Sequence, residues 1–430
     1  MKKILALVLA VVMVLALAAC GGNGNTPAAP GKPGAQTTTT AKPEGPQEIT
    51  LTVWGPSEDQ VDENSWLNVM LKKFEEAYKD EYKITWVTGV CAEGDAFTKV
   101  SADVEAAADV YFYANDQLGS LINAQALAKL GGSYEEQVKK DNSQTFVDTV
   151  TYTDGGVYGF PTTANTWFMY YDTRVLSADD VKSLDTMLEK TTVAFPITNS
   201  WYIWSFYAAA GGTLFGDKGI DAAAGIQLGA KATDVTKYLV NLANNPNFIN
   251  DADGVGISGL RDGSVGAIFS GTWDSKSVQE ALTDSEGVCH MGVTQLPTFN
   301  LNGEALTMKS FAGSKAIGVN RQSKNMGAAL KLAAFLSTEE AQLLHYQLRE
   351  IPPAVSALTS NEEIAKNLVV VGQALTMSNS SVGQPTIPEM NNYWGPAGNL
   401  GTAIYNKEVT LDNAAEQTEL FQDALNGTGL

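Results

Sequence analysis

The chain opens on an unbroken apolar run of 16 residues, Ile4 to Ala19, behind Lys2 and Lys3. A helix needs about 20 apolar residues to cross a bilayer, so residues 1–19 read as a secretory signal peptide. From residue 21 to 47 the pattern vanishes: 20 of these 27 residues are Gly, Pro, Thr or Ala, and no aromatic appears before Trp54. Such a stretch buries too little apolar area to offset the entropy of ordering, so it predicts a disordered tether. Period-two alternation then begins at Ile49, Leu51 and Val53 and predicts a strand. Leu67, Leu71, Phe74 and Tyr78 follow with helical spacing, and residues 83–87 return to strand character. Residues 95–107 read as a helix and Asp109 to Tyr113 as a short buried strand.

Beyond Gly155 short strands are predicted over 157–160 and 167–171, with others at 265–269 and 288–294. Helical stretches are expected near 200–210, 228–244, 325–336, 338–349, 361–376 and 410–425. Ser133 with Glu136, and Ser337 with Glu340, have capping-box spacing and mark helix starts. Alternating strands and helices predict an α/β fold with largely parallel sheet. The breakers Asn245-Pro246 and Ile351-Pro352-Pro353 are candidate crossings between domains. With 430 residues, more than one hydrophobic core is expected.

Composition narrows the function. Lys and Arg number 28 against 48 Asp and Glu, a formal charge of −20; without Lys2 and Lys3 the basic count is 26 and the charge −22. That field, with no basic cluster, excludes a nucleic-acid partner. Two His and three Cys are too few for a His/Cys zinc site or a disulfide framework, so no metal or cofactor is expected. Gly-rich spots such as Gly254-Val255-Gly256 lack nucleotide-binding spacing. His290 and His345 have no nucleophile motif nearby and read as structural, and Cys91 and Cys289 as unpaired thiols. Paired-carboxylate glycoside hydrolysis remains open from composition, but no local motif pins such a pair.

Only 18% of residues are charged, against roughly 25% in an average soluble protein, while Trp, Tyr and Phe number 8, 15 and 15. Aromatics gather beside turn-forming or polar residues in four places: residues 111–116, 201–204, 270–274 and 391–395. Singly, each ring is better explained as core. Jointly, they suit a cleft for sugars, whose C–H faces stack on flat rings while their hydroxyls take a few polar partners.

Two resemblances add to this reading. Leu17-Ala18-Ala19-Cys20-Gly21 resembles the lipobox of bacterial lipoproteins, which implies lipidation of Cys20 and a membrane-anchored, extracytoplasmic protein with residues 20–47 as its tether. Two acyl chains suffice for stable anchoring. The folded part, from about Glu48 to the C-terminus, resembles extracellular solute-binding proteins of the maltose/maltodextrin-binding type. The residues that carry the likeness are Asp109–Asp116, Tyr158–Pro161, Tyr170–Asp172 and Ala208–Gly212, then Gly271–Trp273, Gly292–Thr298, and Ile387–Met390 with Trp394.

The resemblance implies an α/β, two-lobed periplasmic-binding-protein fold with an interlobe ligand cleft and a hinge. Lobe one would comprise 48–163 and 313–353, and lobe two 164–312 and 354–430. Tyr113 and Asp116 would face the cleft from lobe one; Trp201, Trp273 and Trp394 would be stacking platforms of lobe two. Asn165 would add a hydrogen bond, and Glu58, Asp59 and Asp95 fall in loops that supply polar contacts in the family. The chain departs where Asn165 and Asn199 stand for acidic contacts, where Gln117 stands for a basic residue, and where the segment from 176 to 195 is short. The implied role is a monomeric, non-enzymatic substrate-binding lipoprotein of an ABC importer. It would close on maltose or maltodextrins and deliver them to the permease subunits. Fructo-, galacto- or xylo-oligosaccharides are the alternative ligands, and a surface glycoside hydrolase is the rival class.

Overall fold

The computed structural model describes residues 45–427. The expected signal peptide, Cys20 and the expected tether up to residue 44 lie outside the described residues. Among the described residues no helix is long and apolar enough to cross a membrane.

Two sheets organise the molecule. In the first, the strand Gln47–Gly55 pairs in parallel with Tyr82–Val90 on one side and Val110–Ala114 on the other. The long strand Ser310–Val319 runs antiparallel to Val110–Ala114 and to Phe160–Asn165, and Ser381–Gly383 adds at its start. In the second sheet the order is Met291–Thr294, Phe168–Asp172, Ala267–Ser270, Val193–Phe195 and Phe248–Asn250. Its first two junctions are antiparallel and its last two parallel. Each sheet has its own main core. One gathers Leu51, Val53, Phe74, Val110 and Ile317; the other gathers Trp167, Phe195, Phe206, Phe269 and Tyr393. This separation is what alternating βα units predict, since a sheet covered by helices buries both faces.

The chain passes between the sheets at few places. One is the short link from Asn165 to Phe168. Another is the strand Ser310–Val319, whose Phe311 belongs to the second core while Ala316, Ile317 and Val319 belong to the first. Ile351-Pro352-Pro353 leads back from the helix Glu339–Arg349 to Ala354, whose N–H donates to Thr162 O. Asn245-Pro246, the other candidate crossing, instead links the helix Ala232–Ala243 to Phe248–Asn250, both on the second core.

Several predicted elements are revised by local chemistry. The helix expected over 95–107 covers only Ala96–Ser101; beyond it the Asp103 side chain accepts from Ala106 N, an alternative to the helical bond. The stretch 361–376 divides into Glu362–Lys366 and Leu368–Asn379 because Asn367 caps the second helix, accepting from Val369 and Val370 N. The expected helix starts shift by a residue: Ser133 is the first helical residue, and Thr338, not Ser337, caps Glu339–Arg349. A helix over Asn391–Tyr405 contains Pro396 and three glycines, Gly395, Gly398 and Gly401, so propensity argued against it. Packing overrides propensity there: a Cβ on Gly401 would stand 2.1 Å from Ile197 O, so the glycine permits the close approach.

Candidate functional site

A cavity of about 430 Å³ is lined by residues at or just beyond the ends of strands of both sheets. Three indoles line it, each delivered by a helix start. Asn199 caps the helix Ser200–Ala209 by accepting from Trp201 N at 2.9 Å, which fixes Trp201 in the first turn. Trp273 lies in the turn Thr272–Asp274 at the end of Ala267–Ser270. A Cβ on Gly271 would meet its ring at 2.1 Å, so only glycine lets the indole fold back over the backbone. Trp394 sits in the first turn of Asn391–Tyr405, edge-on to Phe311 at 6.0 Å and Tyr393 at 5.1 Å. Trp201 and Trp273 are 5.9 Å apart between ring centres and tilted by 39°, and Trp201 Nε1 donates to Gln384 Oε1 at 3.1 Å. All three are partly exposed to the cavity.

The polar wall is built mostly from the first sheet. Asp116 follows Val110–Ala114 in the turn Asn115–Gln117, and burial pushes its carboxyl up to about 7. It forms no salt bridge among the described residues. Asn165, at the end of its strand, lines the same space. Gln117 stands where a basic residue was expected, and it organises the neighbouring loop. Its Oε1 accepts from Phe97 N at 2.7 Å and its Nε2 donates to Gly94 O. This presents Glu93, Gly94 and Phe97 to the cavity. Lys315, on the crossing strand, reaches Glu93 Oε1 at 3.1 Å.

A second, smaller space of about 30 Å³ adjoins the first. Glu58 and Asp59 line it, but Asp59 is already committed. His345 Nε2 is 3.0 Å from its Oδ1 and Arg349 3.8 Å, and His345 stacks on Trp66 with centres 4.3 Å apart. Desolvation would raise the Asp59 carboxyl, yet His345, with Arg349 and Lys315 behind it, holds it below its ordinary value. His345 is thus a structural partner, as its sequence context suggested. His290 likewise pairs with Asp284 at 2.7 Å.

Of the expected site residues, Asp116, Asn165, Trp201, Trp273 and Trp394 come together around the large cavity, and Glu58 and Asp59 around the small one. Two expectations are corrected. Tyr113 is fully buried in the first core, facing Gly159 and Gly318. Strand alternation turns Phe112 and Ala114 toward the cavities and Tyr113 away from them. Asp95 is exposed and lines neither cavity; Glu93, two residues earlier in the same turn, takes that place. Sequence reasoning missed Glu93, Lys315 and Gln384. Lys315 carried a signal, being the single charge in the apolar strand segment 310–319.

Comparison with known proteins places this geometry. Residues 69–369 match the sequence model of the bacterial extracellular solute-binding proteins. A maltooligosaccharide ABC transporter solute-binding lipoprotein of Streptococcus pneumoniae serotype 4 is 27% identical, covering 77% of this chain and 79% of its own. A galactooligosaccharide-binding protein of Bacillus subtilis strain 168 is 25% identical over 96% of both chains. A protein solved with acarbose superposes with a TM-score of 0.84 at 48% identity, covering 89% of this chain and 99% of that one.

Proposed function

The chain belongs to the bacterial extracellular solute-binding proteins, and from that premise we propose that it captures α-linked gluco-oligosaccharides for an ABC importer. The observation that carries this reading is the cavity itself: three indoles on one side, and on the other polar groups of which Asp116 has no ion-pair partner and the Asn165 side chain no hydrogen bond to another residue among the described residues. Indole faces suit the C–H faces of pyranose rings, and free amide and carboxyl groups suit hydroxyls. The likeness to the acarbose-bound structure and to the pneumococcal maltooligosaccharide-binding lipoprotein supports the α-gluco class. The full-length likeness to a galactooligosaccharide-binding protein keeps that class as the second reading.

In this mechanism the sugar stacks on Trp201, Trp273 and Trp394 and hydrogen-bonds Asp116 and Asn165. Residues 48–163 with 313–353 form one lobe and the remainder of the folded chain the other. Contacts to both lobes favour the closed form by differential affinity, and that form meets the permease. A lipid on Cys20 would hold the monomer at the membrane. No bond is made or broken.

Calorimetric titration with malto-, galacto-, fructo- and xylo-oligosaccharides tests the reading. Tightest binding by the malto series, with the sugar recovered intact, is expected; preference for another series reassigns the ligand, and turnover makes the protein an enzyme. X-ray scattering with and without saturating sugar is expected to give a smaller radius of gyration with ligand. An identical profile would remove hinge closure.

A further inference from the structure

The two cavities share Glu93, Trp273 and Lys315, so these three form the partition between them. Lys315 Nζ is 3.1 Å from Glu93 Oε1 and 5.6 Å from the centre of the Trp273 ring, within cation–π range. Both charged side chains are largely withdrawn from solvent, at 23% and 12% exposure. Their position follows from the backbone. Lys315 pairs with Thr163 and Ala316 with Pro161, so Thr162 is an extra residue in its strand. Such a bulge re-aims side chains, and here Thr162 Oγ1 donates to Lys315 O at 3.1 Å, fixing the strand where Lys315 departs.

The space behind the partition has room for about one water. Thr163 lines it, and its Oγ1 is buried with no hydrogen-bond partner among the described residues. A buried hydroxyl left unpaired is costly and uncommon. Thr163 is therefore a polar group held in reserve beside a space too small for a sugar ring.

Resting on the oligosaccharide reading above, we propose that the Lys315–Glu93 ion pair, backed by Trp273, is the end stop of the cleft and sets how many sugar rings it accepts. A neutral sugar offers no charge to replace either partner. Driving a further ring past the pair would separate two largely buried charges, which their desolvation opposes. The oligosaccharide therefore ends against the pair, and the remaining rings extend toward Trp201 and Trp394. Removing the lysine stem joins the two spaces and exposes the Thr163 hydroxyl to the ligand.

Calorimetry with a ladder of linear α-gluco-oligosaccharides of increasing length, on the wild type and on Lys315→Ala, tests the stop. In the wild type, affinity should cease to rise beyond a given length. In Lys315→Ala that plateau should move to a chain about one unit longer, with the longer-to-shorter affinity ratio rising about tenfold, equivalent to about 1.4 kcal/mol. Glu93→Ala opens the partition from the other side and should move the plateau in the same direction, which keeps the test valid if one variant does not fold. An unchanged length preference in the folded variants overturns the stop while leaving the sugar reading intact. A wild type that binds no member of the ladder overturns the sugar reading, and the stop with it.

Discussion

The two adjoining cavities differ in what their polar groups are doing. Around the small one, most charged groups are engaged with each other: Asp59 holds His345 and Arg349, and Glu93 holds Lys315, while Glu58 has no ion pair among the described residues. Around the large one, Asp116 has no cationic partner among the described residues, and Asn165 stands beside three indoles. Paired charges in a tight space hold elements together; unpaired polar atoms beside flat apolar faces wait for a ligand. Proximity to a pocket is thus a weaker sign of binding than the absence of a commitment elsewhere.

The largest expected effect breaks the small-cavity side. Asp59→Ala leaves His345 and Arg349 partly buried without their anion, and removing one partner of such a pair costs about 3–5 kcal/mol of stability. Denaturant unfolding should report that loss, while sugar affinity in the folded variant stays within about twofold. A large loss of affinity with unchanged stability would move Asp59 to the ligand side of the comparison.

The converse holds for the indoles. Trp394→Ala removes a partly exposed platform whose helix is held by Tyr393, Leu400 and Ile404 beneath it. Affinity should fall by about 2 kcal/mol, as for an aromatic anchor in a desolvated site, with a smaller change in stability. An unaltered dissociation constant would mean that the sugar does not use this wall.

The same distinction explains what the sequence revealed. Strands such as 47–55 and helices such as 66–77 announced themselves through periodicity, because burial on one face imposes it. The indoles were legible because aromatics beside turn residues are unusual outside a core. Glu93 and Gln384 were not, because a lone carboxylate or amide looks the same whether solvated or aimed into a cavity, and only the fold decides. No helix was expected over 391–405, where Asn, Gly and Pro lower helix propensity, yet Gly401 permits close packing of that helix on Ile197. For Asp59 the family resemblance implied a loop that supplies polar contacts but could not foresee His345, 286 positions away.

Asp116 makes the comparison sensitive to pH. Its carboxyl, pushed from 3.8 to about 7 by burial, is protonated in the folded protein over a range where the unfolded chain has ionised. Below about pH 4 it is protonated in both states. As the pH rises toward 7 the unfolded chain releases this proton first, so this group's contribution to stability declines, then levels off above 7. Discounted for its contact with the open cavity, the decline is on the order of 2 kcal/mol. Asp116→Asn should abolish it, making the variant-minus-wild-type stability difference grow between pH 4 and 8. A flat difference would mean that Asp116 has a partner and belongs with the committed charges.

The smallest effect tests the boundary between wall and core. Tyr113 was expected in the cleft, but it lies on the opposite face of its strand from Phe112 and Ala114, and its hydroxyl is buried without a partner among the described residues. Tyr113→Phe removes a polar atom that gains nothing from the fold while keeping the ring that fills the space beside Gly159 and Gly318. Stability should be unchanged or rise by up to about 1 kcal/mol, because an unpaired buried hydroxyl costs more than its absence. Sugar affinity should be unaffected by a change behind the strand. If affinity instead falls while stability holds, the hydroxyl reaches the ligand in the closed form, and Tyr113 joins Asp116 on the uncommitted side.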